Sequence, residues 1–378
     1  MITLEIEGTE FTGFQEATLS KSFDNASAEF TATISSTAPI ENPIKVGDGV
    51  KVLVDGFIAL TGFIDRVDGS FSPNDHTITV RGRDKTADLI DSTISEDISI
   101  STPTTLTKLA KQVISNIGSD IEVVSYIPDE TFDIDDDLTA QTGESAFDFI
   151  EGYCRKLQVI ATTDGLGRLV FTRASSTAKA AVMLINQKDG TQNNVLSGSF
   201  YIDHSQRFHK YTILSQGNAI GEINLDLDIA SPADMASRSF TVVDNDIRGS
   251  RVFNKNSEKS ANQDQCESEC KWNTNIKRAR SFAYTATVAG HVMSPQTDMW
   301  RTNVVVHVID DFVDLPSEYL LISDLTFNYS LADGSTTDIT CVTSDAFTLQ
   351  PIKLKKTSVS SVTLEALAEY VKKEGVTA

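Results

Sequence analysis

The chain is short of cysteine, tryptophan, histidine and positive charge, and each shortage excludes something. Its four cysteines, Cys154, Cys266, Cys270 and Cys341, are too few to staple 378 residues. Cys266 and Cys270 stand four apart in a helical stretch, but no histidine or further cysteine lies near enough in sequence to complete a tetrahedral zinc site. They read as two small apolar residues on one helix face. No apolar run approaches the roughly 20 residues that span a bilayer, so no direct membrane anchor is expected. The opening Met1 to Glu7 lacks a basic region and an apolar region, so no secretory signal is expected and synthesis is placed in a cytoplasm. Lysine and arginine number 32 against 53 acids, a net charge of -21. Nucleic-acid binding needs cations that replace condensed counterions, so stable DNA or RNA binding is not expected.

Catalytic patterns are also missing. There is no P-loop, no G-x-G-x-x-G opening a helix, no H-E-x-x-H and no G-x-S-x-G elbow. The five histidines, His76, His204, His209, His291 and His307, show no ligand spacing. No catalytic, cofactor-binding or metal residue is therefore assigned, and no cofactor is expected. The nearest approach is Asp133 to Asp137 with Glu144, which puts acids at positions 1, 3, 5 and 12 of a calcium loop. Leu138 stands where the sharp turn needs glycine, so the segment reads as an acidic loop leading to a helix capped at Thr142 or Gly143.

What is present is strand pattern. Phe30, Ala32 and Ile34 alternate with polar neighbours, as do Val50, Val52 and Val54 before Asp55-Gly56, a tight-hairpin signal. Asp84 is placed to cap a short helical turn through Leu89. Helical spacing follows at Leu106, Leu109, Ala110, Val113 and Ile114, then from about Glu144 to Leu157, and again from about Ser260 to Arg280. A C-terminal amphipathic helix carries Leu364, Leu367, Ala368 and Val371. The expected architecture is mainly β with an α+β insertion. Residues 1–92 form a first tube-like β-barrel domain and 93–175 a small α+β domain. Residues 176–281 form an irregular β segment with a long helix, 282–352 supply the strands of a second barrel, and 353–378 a linker and helix.

An internal repeat supports this division. Val50 to Phe57 resembles Val305 to Phe312, Phe63 to Val67 resembles Leu321 to Leu325, and Ile78 to Val80 resembles Ile339 to Cys341. A trimer of a chain with two such copies is three-fold in sequence and nearly six-fold in shape. Two basic clusters stand out in the acidic chain: Lys271, Lys277, Arg278 and Arg280, and Lys353, Lys355 and Lys356. Each reads either as a solvated face or as a docking site for an acidic neighbouring subunit.

The run from Thr61 to Val67, then His76 to Asp91 with its Gly82-Arg83-Asp84-Lys85-Thr86-Ala87-Asp88-Leu89, resembles the baseplate hub proteins of Mu-type contractile-tailed phages. So do Arg278 to Ser281, Trp300 to Val306, Tyr319 to Phe327 and Ser344 to Phe347. Departures are Gly290-His291, where the family pattern has Gly-Trp, and the tail after about Lys356. The resemblance implies a homotrimeric structural ring with two tube-like barrels per chain, and no enzyme activity. Its partners would be a central spike protein, a tail tube or tube-initiator protein and the C-terminus of the tape-measure protein. Its place would be the tail baseplate of a virion assembled in the host cytoplasm. Related hubs form part of type VI secretion spikes, which is the alternative; the absence of a fused spike domain here favours the phage form. A tail-associated cell-wall hydrolase is a further alternative, but no segment is left over for its catalytic domain. Because a hub must let the genome pass, part of the acidic surplus is expected to line the ring's inner wall, with Lys271 to Arg280 away from it.

Overall fold

The computed structural model describes residues 1–348, except 37–43, 74, 102, 130, 133–137, 176, 216–237, 258–262, 295–297 and 314. The expected C-terminal helix, with Lys353, Lys355 and Lys356, and the acidic loop at Asp133 to Asp137 lie outside the described residues.

The chain opens with seven strands: β1 (Ile2–Ile6), β2 (Thr9–Phe11), β3 (Glu16–Ser22), β4 (Glu29–Ser36), β5 (Gly49–Val54), β6 (Phe57–Ser72) and β7 (Asp75–Asp84). Alternation puts Ala17, Leu19, Phe30, Ala32, Val50 and Val52 on one buried face. Asp55 and Gly56 both take positive φ (50° and 86°), which the tight β5–β6 hairpin requires.

A short helix α1 (Ala87–Asp91) leads into a second unit. It holds β8 (Ile98–Ile100), α2 (Leu106–Asn116), β9 (Glu122–Ser125), β10 (Leu138–Ala140), α3 (Ala146–Lys156), β11 (Ile160–Thr163) and β12 (Arg168–Thr172). Thr105 and Ser145 accept backbone N–H groups at the starts of α2 and α3, so the cap of α3 is Ser145 rather than Thr142 or Gly143. Leu109, Val113, Ile150, Leu169 and Phe171 fill a separate core.

Two strands then return to the main sheet, β13 (Leu184–Asn186) and β14 (Val195–Ile202). Next, β15 (Lys210–Ser215), β16 (Arg238–Val243) and β17 (Val252–Asn256) form a small sheet under α4 (Gln263–Ala279). Cys266 and Cys270 are buried there with Tyr211 and Ile213, as small residues on one helix face. After β18 (Phe282–Ala289) comes a minor hairpin, β19 (Val292–Ser294) and β20 (Asp298–Met299). The described chain closes with β21 (Val305–Asp310), β22 (Leu315–Ser330), β23 (Gly334–Val342) and a 3-10 turn at Ser344–Phe347.

The fold is mainly β with an α+β insertion, and the two repeat copies share one strand order. The first runs β3-β4-β7-β6-β5-β1, the second β14-β18-β23-β22-β21-β13. They do not close as two separate barrels among the described residues. Each copy has a 16-residue strand, β6 or β22, that shifts register at a bulge and outgrows its first partner. The first part of β22 pairs with β21 and the second part with β3 of the other copy, making one 13-stranded sheet.

The structure also resets the repeat register. The bulges fall between Ile64 and Arg66 and between Ile322 and Asp324. Counting from them, Val50 matches Val306 rather than Val305, and Val80 matches Ile339 rather than Cys341. Burial agrees: Val50, Val52 and Val54 are core positions, as are Val306, Val308 and Asp310. A one-residue slip would have turned each of these to the opposite face.

Candidate assembly interface

The run Gly82 to Leu89 is the joint between the first copy and the α+β unit. At Gly82 a Cβ would lie 2.2 Å from the Phe63 carbonyl oxygen, and at Gly62 it would lie 1.9 Å from that of Arg83. Only glycine lets β6 and β7 cross this closely at the bulge. Arg83 pairs with Asp65 at 2.8 Å and with Asp91 at 2.6 Å, tying the strand to α1. Lys85 reaches Asp120 across the joint.

Asp84 was expected to cap the helical turn. Instead it lies in β7, and Thr86 holds the cap position without a capping hydrogen bond. The Asp84 carboxylate is buried and accepts the hydroxyls of Ser27 (2.9 Å), Thr86 and Thr163. Burial raises its pKa, and the three hydroxyl bonds oppose that rise. Beside it, Lys21 donates to the Asp164 carbonyl at 3.1 Å. Burial lowers the Lys21 pKa to about 8, against the pull of Asp164 and Asp84. Backbone bonds from Thr61 to Gly165 (2.8 Å) and from Lys85 to Thr61 (3.1 Å) complete a rigid connection.

The second copy is locked by a different carboxylate. Asp310 is buried and accepts the Tyr284 hydroxyl at 2.8 Å, the Asn186 amide at 3.0 Å and the Phe312 N–H at 2.8 Å. It thereby holds β13, β18 and the end of β21 in register.

Three stretches of the chain match known family models. Residues 1–84 match the family model described as Mu phage baseplate assembly protein GpP-like, N-terminal. Residues 86–173 match baseplate hub protein gp44-like, second domain, and 261–350 match Mu phage baseplate assembly protein GpP, fourth domain. The baseplate hub protein gp44 of Escherichia phage Mu is 25% identical over 97% of this chain and 95% of its own length. The chain belongs to the baseplate hub family of Mu-type contractile-tailed phages.

Solved structures agree with this placement of the hub. The 43 kDa tail protein of prophage MuSo2 from Shewanella oneidensis is 26% identical, with a TM-score of 0.75 over 92% of this chain and 99% of its own. A tail protein from Neisseria meningitidis MC58 shares the fold at 18% identity, with a TM-score of 0.72 over 93% of this chain and 98% of its own. The function is that of a structural baseplate hub, and the relatives are named as a baseplate hub protein and tail proteins.

Of the basic residues singled out in the hub's sequence, the four from Lys271 to Arg280 have partners within the chain. Lys271 pairs with Glu267 at 2.6 Å along α4. Lys277 lies over the rings of Phe208 and Phe253, 5.5 and 5.0 Å from their centroids. Arg278 pairs with Asp246 at 2.7 Å, and Arg280 donates to the Ala346 carbonyl at 3.2 Å. The last three fix α4 to the small sheet and to the final 3-10 turn, while the Lys271 pair stays within the helix. The buried Arg207–Asp244 pair (2.8 Å) below them had no local signal, because its partners stand 37 residues apart. Among the described residues no three His, Cys, Asp or Glu side chains are placed to hold a metal ion.

Proposed function

We propose that the hub works as a homotrimeric ring that adapts a three-fold central spike to a six-fold tail tube, without catalysis. The observation that carries this is the shared strand order of the two copies: three chains supply six similar units. On this reading one face receives the spike protein and the other starts the tube. The tape-measure C-terminus ends near the lumen, and the particle is assembled in the host cytoplasm. The five segments expected from the sequence remain the proposed division of labour, with the two sheet copies forming the ring.

The face of the main sheet turned away from the core suits DNA passage. It carries hydroxyls, Thr33 lying 3.1 Å from Thr79, Ser20 3.3 Å from Thr326 and Thr285 3.2 Å from Thr340, and beside them Arg66 and Arg81, both paired with Asp68. Asp338 sits among them, held by Thr287 at 2.6 Å and Asn328 at 2.8 Å. Such a face releases few counterions from a duplex, and the acidic surplus of the chain is proposed to add repulsion along the inner wall. Electron microscopy of the purified protein at high concentration tests the ring. Particles with three-fold symmetry and a central opening support it, and compact two-fold particles oppose it.

A further inference from the structure

The two copies treat their edges differently, and the difference identifies a contact between chains. In the second copy the late part of β22 is covered by β3, from Asp324 opposite Ser22 to Ser330 opposite Glu16. In the first copy the matching part of β6, from Arg66 to Phe71, has β7 on one side and no strand on the other among the described residues. The strand that matches β3 is β14, because both pair with equivalent strands, β4 and β18. It ends the sheet with its outer edge uncovered among the described residues.

We propose that β14 of one copy of the chain adds antiparallel to the late part of β6 of the next copy, repeating the β3–β22 pairing between chains. This rests on the ring reading above and specifies how its subunits join. Transferring the β3–β22 register through the bulges puts Arg66 opposite Asp203, Val67 opposite Ile202, Gly69 opposite Phe200, Ser70 opposite Ser199 and Phe71 opposite Gly198.

The residues fit that register. Arg66 meets a carboxylate. Val67 meets an apolar side chain on the face that in the intrachain joint is lined by buried Leu325 and Phe327. Each large aromatic ring, Phe200 or Phe71, faces a glycine that leaves it room. These apolar side chains are out of place on a lone chain: Phe71 is 87% exposed, Ile202 61% and Phe200 47%. Leu19, which occupies in β3 the station of Phe200, is fully buried. An uncovered edge with apolar side chains invites strand addition, and here the intrachain joint supplies the template. The contact is head-to-tail, so it repeats around a ring rather than ending in a pair.

Cross-linking tests the contact. The four native cysteines are buried and unpaired, so introduced thiols report alone. Ser70→Cys and Ser199→Cys are made as separate full-length proteins, mixed and oxidised. The expected product is a disulfide between the two different variants, with neither linking to itself. Replacing Ser199→Cys by Ser197→Cys, two positions out of register, should lower the yield about tenfold. Equal yields from both mixtures, or Ser70→Cys linking to itself, would overturn the register. Phe200→Asp, at an exposed edge, should leave the circular dichroism unchanged while weakening assembly at least tenfold; unchanged assembly overturns the contact. A trimer that forms without the Ser70–Ser199 cross-link refutes this joint and leaves the ring standing. Absence of both trimer and cross-link refutes both.

Discussion

Leu19 of β3 stands directly opposite Phe327 of β22, and both are fully buried. One comes from the first copy of the repeat and the other from the second, 308 positions later in the chain, so this pair sits on the seam that turns two units into one sheet. Their shared core also holds Phe30, Ala286 and Ile339, drawn from both copies. Truncating either residue leaves a void that packing on both sides resists closing. Leu19→Ala should cost about 2–5 kcal/mol and Phe327→Ala about 3–5 kcal/mol, read from denaturant midpoints. A loss under about 1 kcal/mol for both would mean that the seam does not hold the copies together.

The joint at Asp84 gives a second test. Asp84→Ala removes the acceptor for three hydroxyls, and Ser27, Thr86 and Thr163 are all buried. The expected destabilisation is about 3 kcal/mol or more, since the buried Thr163 donor loses its acceptor, Ser27 and Thr86 keep only the Ala28 and Ala26 carbonyls, and a void opens where the carboxylate stood. Thr163→Val removes one of the three and should cost about 1–3 kcal/mol. Thermal unfolding of the two variants should rank them in that order.

Much of the fold was legible in the sequence, and the part that was not has physical reasons. The helices α2, α3 and α4 show because their apolar faces recur at helical spacing, and Asp55-Gly56 shows because few residue pairs accept two positive φ values. The repeat was visible, yet its register was not: valine-rich strands align equally well one residue apart, and only the pairing counted from the bulges, Val306 opposite Leu320 as Val50 is opposite Gly62, separates Val306 from Val305. Strand β14 was missed because Ser197, Gly198 and Ser199 break any alternation and its exposed edge selects for none. Asp84 was misread as a cap because the hydroxyls of Ser27 and Thr163 come from 57 and 79 residues away. The basic residues of α4 were visible as a cluster, but their partners Asp246, Phe253 and Ala346 were not.

Lys21 makes stability depend on pH in a definite direction. Its folded pKa is about 8 and its ordinary value 10.5, so between these pH values the unfolded chain binds more protons. Stability contributed by this group therefore rises as pH increases from about 8 to 10.5. Lys21→Met should flatten that rise relative to the unaltered protein. Parallel stability-pH curves for the two proteins would show that Lys21 is not the source.

Tyr284 and Asp310 provide a test confined to the second copy. Burial and the hydrogen bond to Asp310 both push the Tyr284 phenol pKa up, so it remains a donor through the physiological range. Tyr284→Phe removes one bond to a buried carboxylate and should cost about 1.5–3 kcal/mol. Asn186→Ala should cost less, because its amide bond to Asp310 is only partly buried. Equal losses would show that Tyr284 contributes no more than the peripheral amide.

The mass of the purified full-length protein in solution, measured by light scattering across a range of concentrations, tests the central claim most directly. The 41.2 kDa chain is predicted to assemble to three copies, with no species between trimer and monomer accumulating. A monomer at every concentration, or a stable dimer, would contradict the ring.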